Sequence, residues 1–365
     1  MIFFNFEPIL NRTLQMTIKE IARLANVSLG TVDRVIHKRG KVSPKTEKKI
    51  LDILKYVDYR PNIYARGLVL NKLFTIAALI PSFEMGEYWE IPQNGIMKGA
   101  QDLEQFGIRV KVFNFNQNLP ESFIEQSEKV IALKPDGIIL APVINFEAVR
   151  FTKKLNKLKI PFTIIDSNIS DSGALCFIGQ DAYQSGKLAA KLLKSEIGGK
   201  GNISIISIKN NENHNKTLQK RIEGFRDYFL ESDEIDQISL REFDINQRAT
   251  DWKELLRQVS STPDTAGIFV PSSKVHFVAE VIEDLNVTIK LVGNDLIERN
   301  AHFLEKGVIN YLICQRPENQ GYIALDAFYR ILVLKQGIQK EKYLPLDIVT
   351  KENLGYYNDA LIRLA

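Results

Sequence analysis

Two sets of residues in this sequence carry recognisable chemistry. The first lies between Thr17 and Leu68, in TIKEIARLANVSLGTVDRVIHKRGKVSPKTEKKILDILKYVDYRPNIYARGL. Ser28, Leu29, Gly30, Thr31 and Arg34 fall on the opening face of one short segment. There a guanidinium can donate two parallel hydrogen bonds to a guanine edge, and a leucine can touch a thymine methyl. Gly30 reads nothing itself but lets backbone come close. Ser43, Thr46, Lys48 and Lys49 suit phosphate oxygens. The second set stands at the ends of apolar runs. Asp166 follows FTII, Ser272 and Ser273 follow GIFVP, Asn294 and Asp295 follow KLVG, and Gln315 and Arg316 follow YLIC. Arg221 opens RIEGF, and Tyr88 and Trp89 follow the first such run. Carboxylates, amides and a guanidinium around an indole face are what a polyhydroxylated ligand needs, since its hydroxyls take paired hydrogen bonds and its C–H face stacks on a ring.

The elements that must position these residues differ between the sets. Thr17 with Glu20 offers a capping box for a first helix. Asn26 suits the turn because it tolerates a left-handed backbone. Ser28 caps a second helix, with Val32 and Val35 turned to a core. Ser43-Pro44 starts a third helix, whose buried side is expected to hold Ile50, Leu51, Ile53, Leu54 and Val57. This is the pattern of a helix-turn-helix that lays its second helix in a major groove. Charge agrees: residues 1–70 hold 13 Lys and Arg against 6 Asp and Glu, a balance of +7 in a chain of net +4.

Beyond Leu70 apolar strands alternate with amphipathic helices. Strands are expected at Phe74–Ile80, Arg109–Phe113, Gly137–Ala141, Phe162–Ile165, Asn202–Ile208, Gln237–Phe243, Ala266–Val270, Ile289–Val292 and Val308–Cys314. Helices are expected at Asn94–Gln105, Glu121–Leu133, Asn145–Leu158, Asp181–Lys194, Thr217–Leu230 and Val275–Leu285. Such alternation means right-handed crossovers and parallel sheets. The units are too many for one core, so two doubly wound parallel-sheet subdomains facing a cleft are expected, with ligand beyond the carboxyl ends of the strands. The predicted fold class is a small all-α helix-turn-helix domain plus this α/β sensor. Its boundaries are 1–15 as an extension, 16–60 for the helix-turn-helix, 61–70 for a connecting segment and 71–365 for the α/β region, with Met16 the expected start.

The remaining features exclude several classes. With 45% hydrophobic residues and no apolar run near the ~20 needed for a membrane span, no membrane partner is expected. Cys176 and Cys314 have no metal or redox spacing, and His37, His214, His276 and His302 do not cluster, so no metal and no cofactor are expected. Neither a phosphate-cradling loop nor a nucleophile elbow is present, which argues against an enzyme.

On the stretches TIKEIARLANVSLGTVDRVI, VSPKT, YRPNIYARGL and FTIAALIP the sequence resembles the lactose-repressor family of bacterial transcription regulators. FIGQDAYQSGKLAAKLL, KRIEGF, LVGNDLI and LICQRPENQGYIAL extend the likeness to the type I periplasmic sugar-binding fold fused in that family. The resemblance implies base reading by Leu29, Gly30 and Arg34. It implies a hinge helix carrying Asn62, Ala65, Arg66 and Leu68, with Leu68 a wedge in the minor groove. Asp33 departs from the family's usual Ser near a phosphate. The effector site implied is Asp166, Arg221, Ser272, Asp295 and Gln315, with Trp89 stacking. Each has a plainer reading: Asp166 and Asp295 as caps of following helices, Gln315 as a backbone partner, Arg221 in a surface ion pair and Trp89 as packing. Asp181 is expected to cap a helix. The function implied is a cytoplasmic, homodimeric, ligand-responsive regulator, a repressor of a pseudopalindromic double-stranded operator, answering to a sugar or derivative. The runners-up are a purine or a protein partner as effector, and a solute-binding protein.

Overall fold

A computed structural model describes residues 18–36, 40, 42–57, 72–209, 215–231, 238–262 and 264–357, in two compact units divided at Arg66 and Gly67. Thr17, Asn62, Ala65, Arg66 and Leu68 lie outside the described residues, as do His37, Lys38 and His214.

In the first unit α1 (Ile18–Ala25), α2 (Leu29–Ile36) and α3 (Pro44–Tyr56) close on a small core of Ile21, Ala22, Ala25, Val32, Val35 and Ile50. The turn between α1 and α2 places Asn26 at φ +53°, the left-handed conformation a short polar side chain tolerates. Ser28 Oγ accepts from Thr31 N at 3.2 Å, and Ser43 Oγ accepts from Thr46 N at 3.3 Å with Pro44 in the first turn. Each bond satisfies an amide that a helix start leaves unpaired. Leu51 departs from expectation: it is 50% exposed. It follows Ile50 by about 100° around the helix, so α1 and α2 cover Ile50 and not its neighbour.

The second unit holds two six-stranded sheets. The first runs β11-β5-β4-β3-β1-β2 and the second β12-β10-β9-β8-β6-β7. Its strands are β1 (Phe74–Pro81), β2 (Ile108–Phe115), β3 (Gly137–Leu140), β4 (Phe162–Asp166), β5 (Cys176–Gly179), β6 (Gly201–Lys209), β7 (Ile238–Asn246), β8 (Thr265–Phe269), β9 (Lys290–Asn294), β10 (Tyr311–Cys314), β11 (Glu341–Tyr343) and β12 (Asp347–Val349). All pairings are parallel except β12 on β10. Along β1, Ala77 and Leu79 enter one core while Ile76, Ala78 and Ile80 enter another, the two-residue alternation of a strand buried on both faces. The second sheet likewise divides two apolar clusters.

Helices α4 (Glu90–Leu103), α5 (Pro120–Ala132), α6 (Asn145–Leu158), α7 (Ala182–Glu196), α8 (Lys216–Leu230), α9 (Trp252–Ser260), α10 (Val275–Leu285), α11 (Glu298–Glu305) and α12 (Pro317–Phe328) supply the crossovers. The chain passes between lobes after β5, after β10 and between β11 and β12. In each lobe the helix that follows a crossover packs backbone to backbone on the helix that follows the lobe's first strand. A Cβ at Gly186 of α7 would lie 1.9 Å from Arg221 O, and one at Gly224 of α8 would lie 2.0 Å from Tyr183 O. Gly95 of α4 and Gly321 of α12 repeat the arrangement, at 1.9 Å and 2.1 Å from backbone oxygens. The expected strand at Val308–Cys314 begins only at Tyr311, because the amides of Val308 and Ile309 both turn back to Phe303 O to end α11.

Candidate functional site

In the first unit the residues with base-reading chemistry stand in solvent. Leu29 is 51% exposed in the first turn of α2. Gly30 and Arg34 are exposed, and Thr31 is half-buried with its hydroxyl 2.9 Å from Ser28 Oγ. Ser43, Lys48 and Lys49 are exposed, while Thr46 is half-buried and reaches Ser43 Oγ at 2.8 Å. Among the described residues a Cβ at Gly30 would meet Ser28 Oγ alone, at 3.9 Å, so their packing does not demand glycine there.

The second unit opens a cleft of about 530 Å³ at the carboxyl ends of its strands. Asp166 ends β4, Asp295 follows β9 and Gln315 follows β10; all three are buried and line the cleft. Both aspartates hold φ +69°, a conformation rare for non-glycine residues and concentrated at functional sites. Neither caps a helix. No helix lies between β4 and β5, and Ile297 occupies the cap position of α11. Asp181 does cap α7, its Oδ1 accepting from Gln184 N at 3.0 Å.

The buried polar groups form one connected set. Tyr88 Oη donates to Asp166 Oδ1 at 2.8 Å, and Gln315 Nε2 donates to Asp295 Oδ1 at 2.9 Å. Gln320, in the first turn of α12, accepts from Asp166 N at 3.1 Å and donates to Gln315 Oε1 at 3.1 Å. Arg221 is 2% exposed, and its Nη1 donates to Pro271 O at 2.7 Å. It is no surface ion pair. Burial pushes the Asp166 carboxyl up to about 6, against the Tyr88 hydrogen bond and the Arg221 charge, which pull it down. Burial likewise raises Asp295, and Arg221 and Gln315 oppose it. Tyr88 is raised by burial and by the Asp166 charge, so it remains a neutral donor.

At the rim, Ser272 lines the cleft and its Oγ accepts from Lys274 N at 3.4 Å. Lys274 Nζ donates to Gln247 Oε1 at 2.8 Å, and burial lowers its ammonium to about 8. Trp89 borders the cleft but is 7% exposed and belongs to a core cluster. Its ring meets Tyr88 edge-on, with centroids 5.1 Å apart at 84°. Tyr88 is therefore the ring that reaches the carboxylate. Sequence reasoning placed it beside Trp89 without a role; its position one residue before the indole was the available signal. Arg316 turns away to pair with Asp347 through Nε and Nη2 at 2.7 and 2.9 Å. His276 and Lys274, both lining the cleft, were also missed. They belong to the loop and helix that follow Ser273, where polarity alone does not distinguish lining from surface.

A cleft of this size, with carboxyl acceptors, amides and the buried Arg221 guanidinium, can bind a ligand rich in hydroxyls. Among the described residues no group of three or more His, Cys, Asp or Glu could hold a metal, and no helix is long and apolar enough to cross a membrane.

Comparison with known proteins gives the same architecture. Residues 17–62 match the bacterial regulatory proteins of the lacI family, and residues 76–336 match the periplasmic binding protein domain. The sucrose operon repressor of Streptococcus mutans is 26% identical over 351 residues, covering 92% of this chain and 98% of that protein. A solved structure from Bacteroides fragilis, described as a LacI transcriptional regulator, is 30% identical with a TM-score of 0.73, covering 78% of this chain and 100% of that one. A glucose-galactose binding protein from Geobacillus stearothermophilus shares the fold, with a TM-score of 0.68 at 21% identity over 78% of this chain and 99% of that one. The helix-turn-helix, the twin doubly wound lobes and these likenesses agree: the chain belongs to the lacI family of bacterial regulatory proteins, DNA-binding transcription regulators that carry a periplasmic-binding-protein-like domain.

Proposed function

We propose that this regulator is a cytoplasmic, sugar-responsive repressor that binds a pseudopalindromic operator as a homodimer. The observation that carries the sugar reading is the buried pair Asp166 and Asp295, offered to one cleft from two lobes, with Arg221 lining the same cleft and its charge acting on both. Carboxylates in this setting accept from vicinal hydroxyls, and the guanidinium donates to the same ring. Ser272 and Gln315 add a hydroxyl and an amide, and the Tyr88–Trp89 pair adds an apolar face. The sucrose operon repressor supports a carbohydrate effector. A purine would favour parallel rings on both faces of the base, and Tyr88 and Trp89 meet at 84°.

On the output side, Ser28, Leu29, Gly30, Thr31 and Arg34 address base edges, while Thr17, Ser43 and Thr46 hold phosphates. Asn62, Ala65, Arg66 and Leu68 form the hinge that enters the minor groove. One recognition helix reads few bases, so two half-sites and a homodimer follow. Sugar binding closes the lobes and changes hinge folding, and so shifts DNA affinity by the difference in its affinity for the two states, typically ~1–3 kcal/mol.

The test is selection of genome fragments by the purified protein at fixed salt, with and without D-glucose, D-galactose, D-tagatose, D-allose or sucrose. A short pseudopalindrome released by one of these is the expected result. Salt-sensitive binding without sequence preference and without response to any sugar would overturn the proposal.

A further inference from the structure

The two lobes repeat more than their strand order. Three first-lobe features near the site have second-lobe counterparts. Asp166 closes β4 and Asp295 follows β9, at matching places in the two sheets and with the same φ. Gln180 follows β5 within FIGQD, as Gln315 follows β10 within LICQR. Five residues beyond each glutamine, Ser185 and Gln320 face the matching strand end: Ser185 Oγ accepts from Asn294 Nδ2 at 3.3 Å, and Gln320 Oε1 accepts from Asp166 N at 3.1 Å. Gln315 is used in the cleft. Gln180, 3% exposed, is not among the residues that line it.

Its amide meets Arg221 instead. With the oxygen toward the guanidinium, Gln180 accepts from Arg221 Nε at 3.1 Å and from Nη2, and the same oxygen lies 3.1 Å from Gln315 Oε1. Arg221 Nη1 is bound to Pro271 O. The guanidinium is thus held by the end of β8 on one side and by the first interlobe crossover on the other. A buried arginine has several low-energy rotamers, and two fixed acceptors on different nitrogens select one. Glycines at 186 and 224 bring α7 and α8 close enough for an acceptor on the crossover to reach α8.

We infer that Gln180 is a positioning residue for effector recognition, holding the Arg221 guanidinium in place at the cleft from the first crossover. The inference rests on the sugar reading for its consequence but not for its geometry. Because Gln180 sits where the chain passes between lobes, lobe movement and guanidinium placement are coupled through it.

The test uses the full chain with Gln180→Met, which keeps length and removes the acceptor, and Gln180→Asn, which keeps polarity and removes reach. The first readout needs no sugar: carbon-13 NMR titration of the Asp166 and Asp295 carboxyls, assigned with Asp166→Asn and Asp295→Asn. Arg221 lowers both carboxyls, so its release moves both titrations to higher pH in either variant. In an Arg221→Met background Gln180→Met adds no further shift. The second readout is calorimetric affinity for the five-sugar panel, expected to weaken roughly tenfold to a hundredfold, the loss typical of a hydrogen bond to a charged group. Carboxyl titrations that stay at wild-type pH, or a lower melting temperature with no titration shift, would overturn the inference. A wild-type chain that binds none of the five sugars, with the titration shift present, would overturn the sugar reading and leave the Gln180–Arg221 coupling standing.

Discussion

The two units of this protein place the residues proposed to read DNA and effector in opposite environments. The helical unit keeps a core of six residues and holds Leu29, Gly30 and Arg34 in water. The sensor buries Asp166, Arg221, Asp295 and Gln315 almost completely. An exposed reader gains its partner only when DNA arrives, so its loss costs binding and not folding. A buried reader is already partnered, so its loss disturbs the network before any ligand binds. Four outcomes sharpen or break that contrast.

Arg221→Met should have the largest effect. It leaves Asp166 and Asp295 without the charge that opposes their repulsion, and breaking a buried charge network typically costs ~3–5 kcal/mol. Sugar affinity should be lost by calorimetry and thermal stability reduced, with operator affinity in the absence of sugar retained. Unchanged sugar affinity would remove Arg221 from the site. Arg34→Ala should come next, weakening operator binding by ~1–3 kcal/mol and relaxing one base position. Its melting temperature should match wild type, since Arg34 is exposed. A lower melting temperature would erase the contrast between the units.

The third outcome is a pH effect. Ionised Asp166 accepts from sugar hydroxyls more strongly and through more lone pairs than its protonated form, and in the folded protein it titrates at about 6, facing Tyr88, Arg221 and Asp295. Sugar affinity should therefore be full above about pH 6 and fall by up to tenfold per unit below it. Stability runs the other way. The folded value lies above the ordinary 3.8, so the ionised group costs stability above pH 6 and that cost disappears as pH falls through 6 toward 3.8. Calorimetry and thermal melts over about pH 5 to 8 should show the two trends diverging, and Asp166→Asn should flatten both. Parallel trends would place the titrating group elsewhere.

The smallest effect is expected from Gly30→Ala. Space is open there, and alanine in a helix gains up to ~1 kcal/mol over glycine. The melting temperature should rise slightly while operator preference changes by fragment selection. An unchanged preference would mean that Gly30 does not face bases.

The same contrast explains what sequence could and could not deliver. In the helical unit every signal is local: Asn26 in a left-handed turn, Ser28 and Ser43 as caps, Val32 and Val35 one turn apart. Leu51, exposed, and Val57, half-buried at the cap beyond the helix, misled, because apolar character does not say how far two short helices reach around a third. In the sensor, long alternating segments were readable, and α6 and α10 have the expected limits. The strands β5, β11 and β12 were not, being three or four residues long and stabilised by distant neighbours. Helices α9, α11 and α12 follow polar starts that carry no strong cap. Asp166, Asp295 and Gln315 could be found because they directly follow apolar strands. Tyr88 and Gln180 could not be given roles, because their partners, Asp166 and Arg221, are supplied by the tertiary fold.

The most direct measurement is the affinity of one sugar for the full chain, with and without a saturating operator fragment, and of the fragment with and without that sugar. Linkage makes the two ratios equal by any route; the account requires that they differ from one, because sugar and operator favour different states of the lobes. A sugar that binds the cleft with the same affinity whether or not DNA is present would contradict it.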